Sequence, residues 1–481
     1  MRKWLMGSIL VLGPALVQAQ GTAPEKRLYP EQMRSDLALL WNSLRQEHPD
    51  PFRYMDQQQL QRLVDTAQVH LATPMGTEAW LAELMPLLRA VGDAGTQVLP
   101  PSEYTEWYRL RSPLLPMRVA VIGDRLYLDE ELKGFRSLPP GCELIAVNGM
   151  PAQDILQRLR AGLVPEGANT TRQDRILERD FPVLFRRFIG HSERFQVAYR
   201  EADGRIGEQT LMAITGEQIG RFRSDMEHGN MPWRLVQDPA FRSAWLTLST
   251  MDPAVLASVR ITPGKFLENA LEQLRRSDIR TLVLDLRGAG GGDPDLAAQV
   301  YSLVARKPFR AVSAISIGAG DAAPDALADL AQSMASMGGG WLPAANGRRM
   351  LRADDPRLIW HLPRRDAFQG KVYVLFDGAT TEAAASLAML IKRNGRGRSV
   401  GEEMGSNAAS WCGGEELEKL LPATGCRLRM PMCRYVPEGP VNGPADRGEM
   451  PDHAVERRPE DVAKGRDSVR GTVELVIEAL Q

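Results

Sequence analysis

Cysteine is scarce in this 481-residue sequence, with four in all and no Cys-x-x-Cys pair. That spacing disfavours a zinc ribbon or a thioredoxin-like redox motif, and a chain this long needs no disulfide framework to build a core. Excess charge is also missing: 59 Lys and Arg stand against 60 Asp and Glu. The balance leaves no overall electrostatic footprint for nucleic acid or an anionic membrane. Beyond the first 20 residues no run is apolar enough to span a bilayer. A Gly-x-x-x-x-Gly-Lys phosphate loop is absent, the Rossmann glycine spacing fails, and there are no internal repeats. Neither a cofactor nor a metal site is expected.

What remains is the composition of a folded globular chain, 43% hydrophobic and 25% charged. At about 150 residues per domain its length suggests roughly three. The opening segment reads as a secretory signal peptide over 1–19. Arg2 and Lys3 precede an apolar run from Trp4 to Val17, and Val17 and Ala19 are small residues before a cleavage point. The mature chain then starts at Gln20, is secreted or periplasmic, and has no membrane segment after cleavage. Export places the cysteines in an oxidising setting. Leu417 to Leu421 and Arg427 to Met430 read as strands folded about Pro422-Ala423-Thr424-Gly425. That fold brings Cys412 and Cys433 within reach, so they are the expected disulfide, with buried free thiols as the alternative.

Three textures follow one another. Leucines at three- and four-residue spacing between Pro30 and Ala90 predict a helical N-terminal domain over 20–112. Short β-rich runs separated by Gly or Pro, with Asn148-Gly149 as a hairpin turn, predict a mixed β domain over 113–235. Continuous apolar runs at Thr281 to Leu286 and Val372 to Phe376, each leading through a turn into a helix, predict an α/β core over 236–481. Asp293-Pro294 supplies a cap and first helical residue, and Thr381 caps a helix that ends at Asn394-Gly395. The Gly-, Ala- and Met-rich stretch from about 313 to 356 reads as an insertion over this core.

The residues that carry chemistry begin with Asp285-Leu-Arg-Gly-Ala-Gly-Gly-Gly292, directly after a buried strand. Glycines there let backbone N–H groups, Gly290 and Gly291 foremost, face an anion or a developing oxyanion. Taken with His48-Pro49-Asp50-Pro51-Phe52, Val91-Gly92-Asp93-Ala94-Gly95-Thr96, Leu138 to Gly149, Val374 to Leu387 and Met450-Pro451-Asp452, the sequence resembles the C-terminal-processing (tail-specific) serine peptidases, close to their tricorn-core branch. The resemblance spans nearly the whole mature chain. It implies a multidomain α/β protein with an N-terminal helical domain, a PDZ-like β domain and a crotonase-like α/β core. It also implies a peptide or unfolded protein segment as partner, and no nucleic acid. In active members a serine at a helix start attacks the carbonyl, a His or Lys takes its proton, and the glycine-rich turn holds the oxyanion.

Residue by residue the carry-over fails at the chemistry. The nucleophile position falls on Glu382 in Ala379-Thr380-Thr381-Glu382-Ala383-Ala384-Ala385, the histidine position on Gly95, and the lysine position on Asn407. The asparagine of the glycine-rich turn is Ala289. Ser386 is the obvious rescue candidate, a helical turn further on, with Thr380 and Thr381 as hydroxyl alternatives, though Thr381 reads better as the helix cap; His48 and His453 read as structural hydrogen-bonders. A carboxylate pair, Glu382 with Asp93, is a third and weaker idea. Two readings stand: an exported family member that has lost catalysis and keeps a peptide-binding or scaffold role, and a serine-type endopeptidase with a non-standard catalytic set. On the first, Glu382 is expected to point into the vacant oxyanion site and accept from Gly290 and Gly291.

Overall fold

The computed structural model describes residues 26–132, 136–227, 231–318, 338–344 and 347–479. The expected signal peptide lies outside them, as does 319–337 of the expected insertion. The N-terminal helices run Pro30–Gln46, Gln57–His70, Thr77–Val91 and Ser102–Leu110. Their leucine periodicity becomes a packed interior: Leu37, Leu40, Leu44, Leu84 and Leu88 are almost completely buried together with Trp80. The second helix starts where Asp56 accepts from the Gln59 N–H at 2.8 Å, a cap contributing about 1 kcal/mol.

The next segment folds as an antiparallel sheet ordered Ile206–Met212, Arg194–Arg200, Glu143–Val147, Arg125–Glu131, Met117–Ile122. Asn148 and Gly149 both have positive φ, so Val147 pairs with Met150 across a two-residue turn. Helices Ala152–Ala161 and Thr171–Phe188 lay Ile155, Leu159, Leu177 and Phe181 on the sheet's inner face, a separate core.

The third segment is built on a sheet ordered Trp233–Asp238, Ser243–Leu248, Thr281–Asp285, Lys371–Phe376, Arg398–Gly401, His453–Ala454. Every neighbouring pair is parallel except the first, which is antiparallel. Its first strand straddles the expected boundary at 235–236. Leu282, Val283 and Leu284 are all 0% exposed, which explains why these strands read as unbroken apolar runs rather than alternating ones. Asp293 caps the helix Pro294–Ser302 through the Asp295 N–H at 2.9 Å, as its sequence implies.

A second, antiparallel sheet is dominated by a hairpin, Trp411–Leu421 with Cys426–Pro437. Its tip enters the helical domain, where Leu421, Cys426, Leu428 and Met430 join the leucine core. Asp36 accepts from the Thr424 N–H at 2.7 Å there. Its base belongs to the α/β core, with Trp411 and Tyr435 stacked at 4.2 Å. The described part of the expected insertion extends this same sheet through Val312–Ile317, Trp341–Pro343 and Arg349–Leu351.

This hairpin corrects the disulfide expectation. All four cysteines are free. From the tip the register runs Leu421 to Cys426 and Glu416 to Pro431, which would set residue 412 opposite 435. A bulge between Gly413 and Glu416 shifts it by one, so Cys412 faces Arg434 and Gly413 faces Cys433. One residue of slip reverses the face a side chain points to. Cys433 is buried in the α/β core, whereas Cys412 lies on the other face of the hairpin. Thiol titration of the purified protein, denatured without reductant, is expected to count four reactive thiols. A Cys412–Cys433 peptide in a non-reducing digest would mean that this register is wrong.

Candidate functional site

Two strand-to-helix turns meet at the carboxyl ends of the parallel strands. The first follows Thr281–Asp285 and contains Gly288 to Gly292; the second follows Lys371–Phe376 and leads into the helix Glu382–Arg393. Thr380 Oγ1 donates to the Leu286 carbonyl at 2.8 Å. The Thr381 N–H donates to the Ala289 carbonyl at 2.9 Å, and the Gly288 N–H to Asp377 Oδ1 at 3.0 Å. A Cβ on Gly290 would come within 2.9 Å of Thr381 Oγ1, so the close approach requires glycine. The glycine-rich turn and the Glu382 helix therefore converge.

Glu382 begins its helix at φ +53°. A left-handed conformation costs a non-glycine residue about 1–2 kcal/mol, and here its N–H is anchored to Ser406 Oγ at 2.7 Å. Its half-buried side chain does not turn into the glycine-rich loop. It runs along the hairpin base, where a Cβ on Gly413 would meet Glu382 Cδ at 3.0 Å. No hydrogen bond reaches its carboxylate among the described residues, so the expected bonds from Gly290 and Gly291 are not made. Burial pushes its pKa up to about 7. Arg172 opposes that shift, while Glu416, Asp93 and Glu166 add to it.

The other expected residues are held in structural bonds. Ser386 is fully buried and its Oγ accepts from the Trp411 indole N–H at 3.0 Å. Asn407 Nδ2 donates to Tyr54 Oη at 3.0 Å and to the Ala445 carbonyl at 2.7 Å, while its Oδ1 accepts from the Ala409 N–H at 2.8 Å. Gly95 offers its N–H to Asp93 Oδ1 at 3.1 Å and faces Pro431 of the hairpin. His48 Nδ1 accepts from the Asp50 N–H at 3.0 Å, which leaves the ring proton on Nε2 to meet Asp93 Oδ2 at 2.7 Å. Burial alone would raise the Asp93 pKa, but hydrogen bonds from His48, Thr96 and Gly95 hold it below the usual carboxylate range. His453 sits exposed in the edge strand.

Sequence reading missed the groups that surround Glu382 in space. Glu166, from the loop after helix Ala152–Ala161, is buried and lies 3.4 Å from Arg172 and 3.6 Å from Arg53. Burial and then Asp93 raise its pKa to about 7 against those two arginines. Burial and the Asp93 charge likewise push the Cys412 thiol well up, which keeps it protonated. Beside this cluster opens a cavity of about 760 Å³ with Asp50, Arg53, Tyr54, Ser410 and Arg434 in its walls. These residues come from segments hundreds of positions apart, and of them only Asp50 falls in a motif singled out in the sequence.

Comparison with known proteins matches residues 242–438 to the model of peptidase family S41. Residues 242–438 are thus similar to the S41 peptidase domain, over a stretch that is less than half of the chain. No curated protein matches the sequence. Among solved structures, mature CPAF aligns over 93% of this chain and 96% of its own at 15% identity and TM-score 0.64. Mature CPAF complexed with lactacystin aligns over 94% and 98% at 15% identity and TM-score 0.66. The photosystem II D1 C-terminal processing protease covers 91% and 98% at 14% identity and TM-score 0.43. The CPAF likeness shows the fold: a multidomain α/β architecture with helical, PDZ-like and peptidase-core parts. No helix among the described residues is long and apolar enough to cross a membrane.

The raised Glu382 pKa fixes the sign of a stability test. With the folded value near 7 and the ordinary value at 4.5, its contribution is fully present below pH 4.5 and lost as pH rises to about 7. Glu382→Gln, always neutral, is expected to be more stable than the parent at pH 8 by about 1 kcal/mol, after allowance for solvent screening. For a cooperative unit of this size that corresponds to a Tm gain of about 1–2 °C, shrinking toward zero near pH 4.5. A lower Tm at pH 8 would show that the carboxylate is stabilised rather than strained. Glu382→Gly, which also frees the left-handed φ, is expected to gain about as much.

Proposed function

We propose that this protein is an exported member of the S41 peptidases that has lost serine-type catalysis and keeps a peptide-accepting cleft, as a binding or scaffold component. The observation that carries the reading is at Glu382. The strained turn over a glycine-rich loop is the backbone arrangement that presents a nucleophile, yet it presents a carboxylate. Acyl transfer needs a nucleophile within about 3 Å of the reacting carbon and a base within hydrogen-bond reach of it. Gly95 has no side chain to act as that base, and the Asn407 amide has no basicity and is bonded on both ends. Ser386 Oγ lies in the helix interior, engaged by Trp411. The cavity beside Tyr54 and Ser410 is large enough for several side chains of an extended peptide.

The rival is an active serine-type endopeptidase with an unconventional catalytic set. A fluorophosphonate probe on the mature protein separates the two. No serine is expected to be labelled, and a disordered protein substrate is expected to remain intact over hours. Labelling of Ser386 or of any single serine would revive the enzyme. Glu382→Ser is expected to stay inactive, because it restores the nucleophile without a base; cleavage by this variant alone would reveal a base elsewhere in the cleft.

A further inference from the structure

The opposite end of the core sheet holds a feature that the cleft does not use. At the amino ends of the strands Thr281–Asp285, Lys371–Phe376 and Arg398–Gly401 lies an open groove of about 850 Å³. Its charged lining is Arg280, Arg306, Lys371, Lys392, Arg396 and Arg398 against one carboxylate, Asp452. Two of the cations are already matched: Lys392 Nζ lies 2.9 Å from Glu449, and Arg280 lies 3.7 Å from Asp278. Asp452 is turned to Ser399, accepting from its N–H at 2.8 Å and its hydroxyl at 3.0 Å. Among the described residues no ion pair reaches Arg306, Lys371, Arg396 or Arg398.

Arg396 is the unusual member, being only 7% exposed. Its Nε donates to the Val304 carbonyl, and its Nη2 to Phe368 O at 2.8 Å and Gly370 O at 3.0 Å. Carbonyl dipoles satisfy those N–H groups without cancelling the charge, and a buried cation lacking a counter-ion is costly. Burial and the neighbouring Arg306 push its pKa down to about 10. Two like charges are thus held near each other at the wall of a groove that has room for a polyatomic anion. Arg306 Nη2 donates to the Gln369 carbonyl, and among the described residues no hydrogen bond occupies Nη1 of Arg306 or Arg396, which leaves a charged N–H donor on each for a phosphoryl oxygen.

We infer that this groove binds a polyvalent phosphate, with Arg306 and Arg396 on one phosphoryl group and Lys371 and Arg398 contacting the remainder. A free polyphosphate and the phosphate headgroups of a lipid surface share this chemistry, and two measurements distinguish them. Titration calorimetry with inorganic tripolyphosphate probes the first; co-sedimentation with phosphatidylglycerol-containing vesicles probes the second. The mature full chain is expected to bind in at least one. Arg306→Glu with Arg398→Glu, both exposed positions, is expected to weaken that binding at least tenfold. The same charge change at Arg194, on the PDZ-like sheet, and Arg205, in the turn beside it, is expected to leave it within twofold. Absence of binding in both measurements, equal loss in the two double variants, or undiminished binding in the groove variant would each overturn the inference. None of these outcomes depends on whether the cleft cleaves peptides.

Discussion

The cross-bracing of two strand-to-helix turns is the constraint on which the site depends. Thr380 Oγ1 to Leu286 O, the Thr381 N–H to Ala289 O and the Gly288 N–H to Asp377 Oδ1 tie the loops together from both sides. Each such bond contributes a net of about 0.5–1.5 kcal/mol, and together they outweigh the left-handed conformation imposed on Glu382. None of them uses the Glu382 side chain. The geometry belongs to the backbone and to the threonines before the helix, so it persists whatever residue occupies the strained position.

Around that turn the ionisable groups sit in fixed partnerships. His48 is committed through both ring nitrogens, Asp93 accepts from three donors, and Glu166 lies between Arg172 and Arg53. Here the polar atoms mainly hold the helical domain, the 166–172 loop and the core in register. Glu382 is the exception, a carboxyl whose charge is opposed by burial and whose oxygens have no hydrogen-bond partner among the described residues.

Much of the local structure was legible because local signals cause it. Asp293-Pro294 caps its helix, Asn148-Gly149 turns its hairpin, and the apolar runs at 281–286 and 372–376 become strands buried on both faces. Two features were not legible. The bulge between Gly413 and Glu416 displaced the hairpin register by one residue, and that slip separated Cys412 from Cys433. Nor does any spacing reveal that Gly413 leaves room for Glu382, or that Glu166 and Arg172 come to face it. Those contacts are set by tertiary packing between distant segments.

The same hairpin has a thermodynamic consequence. Its tip supplies four side chains to the helical core and its base supplies Trp411, Cys433 and Tyr435 to the α/β core. Neither body can melt without stripping partners from a strand the other requires, whereas the PDZ-like part has a hydrophobic interior of its own. Heat should therefore divide the molecule differently from its apparent sequence boundaries. The first and last thirds form one cooperative unit threaded by a shared pair of strands, and the middle third is free to follow a separate melting curve.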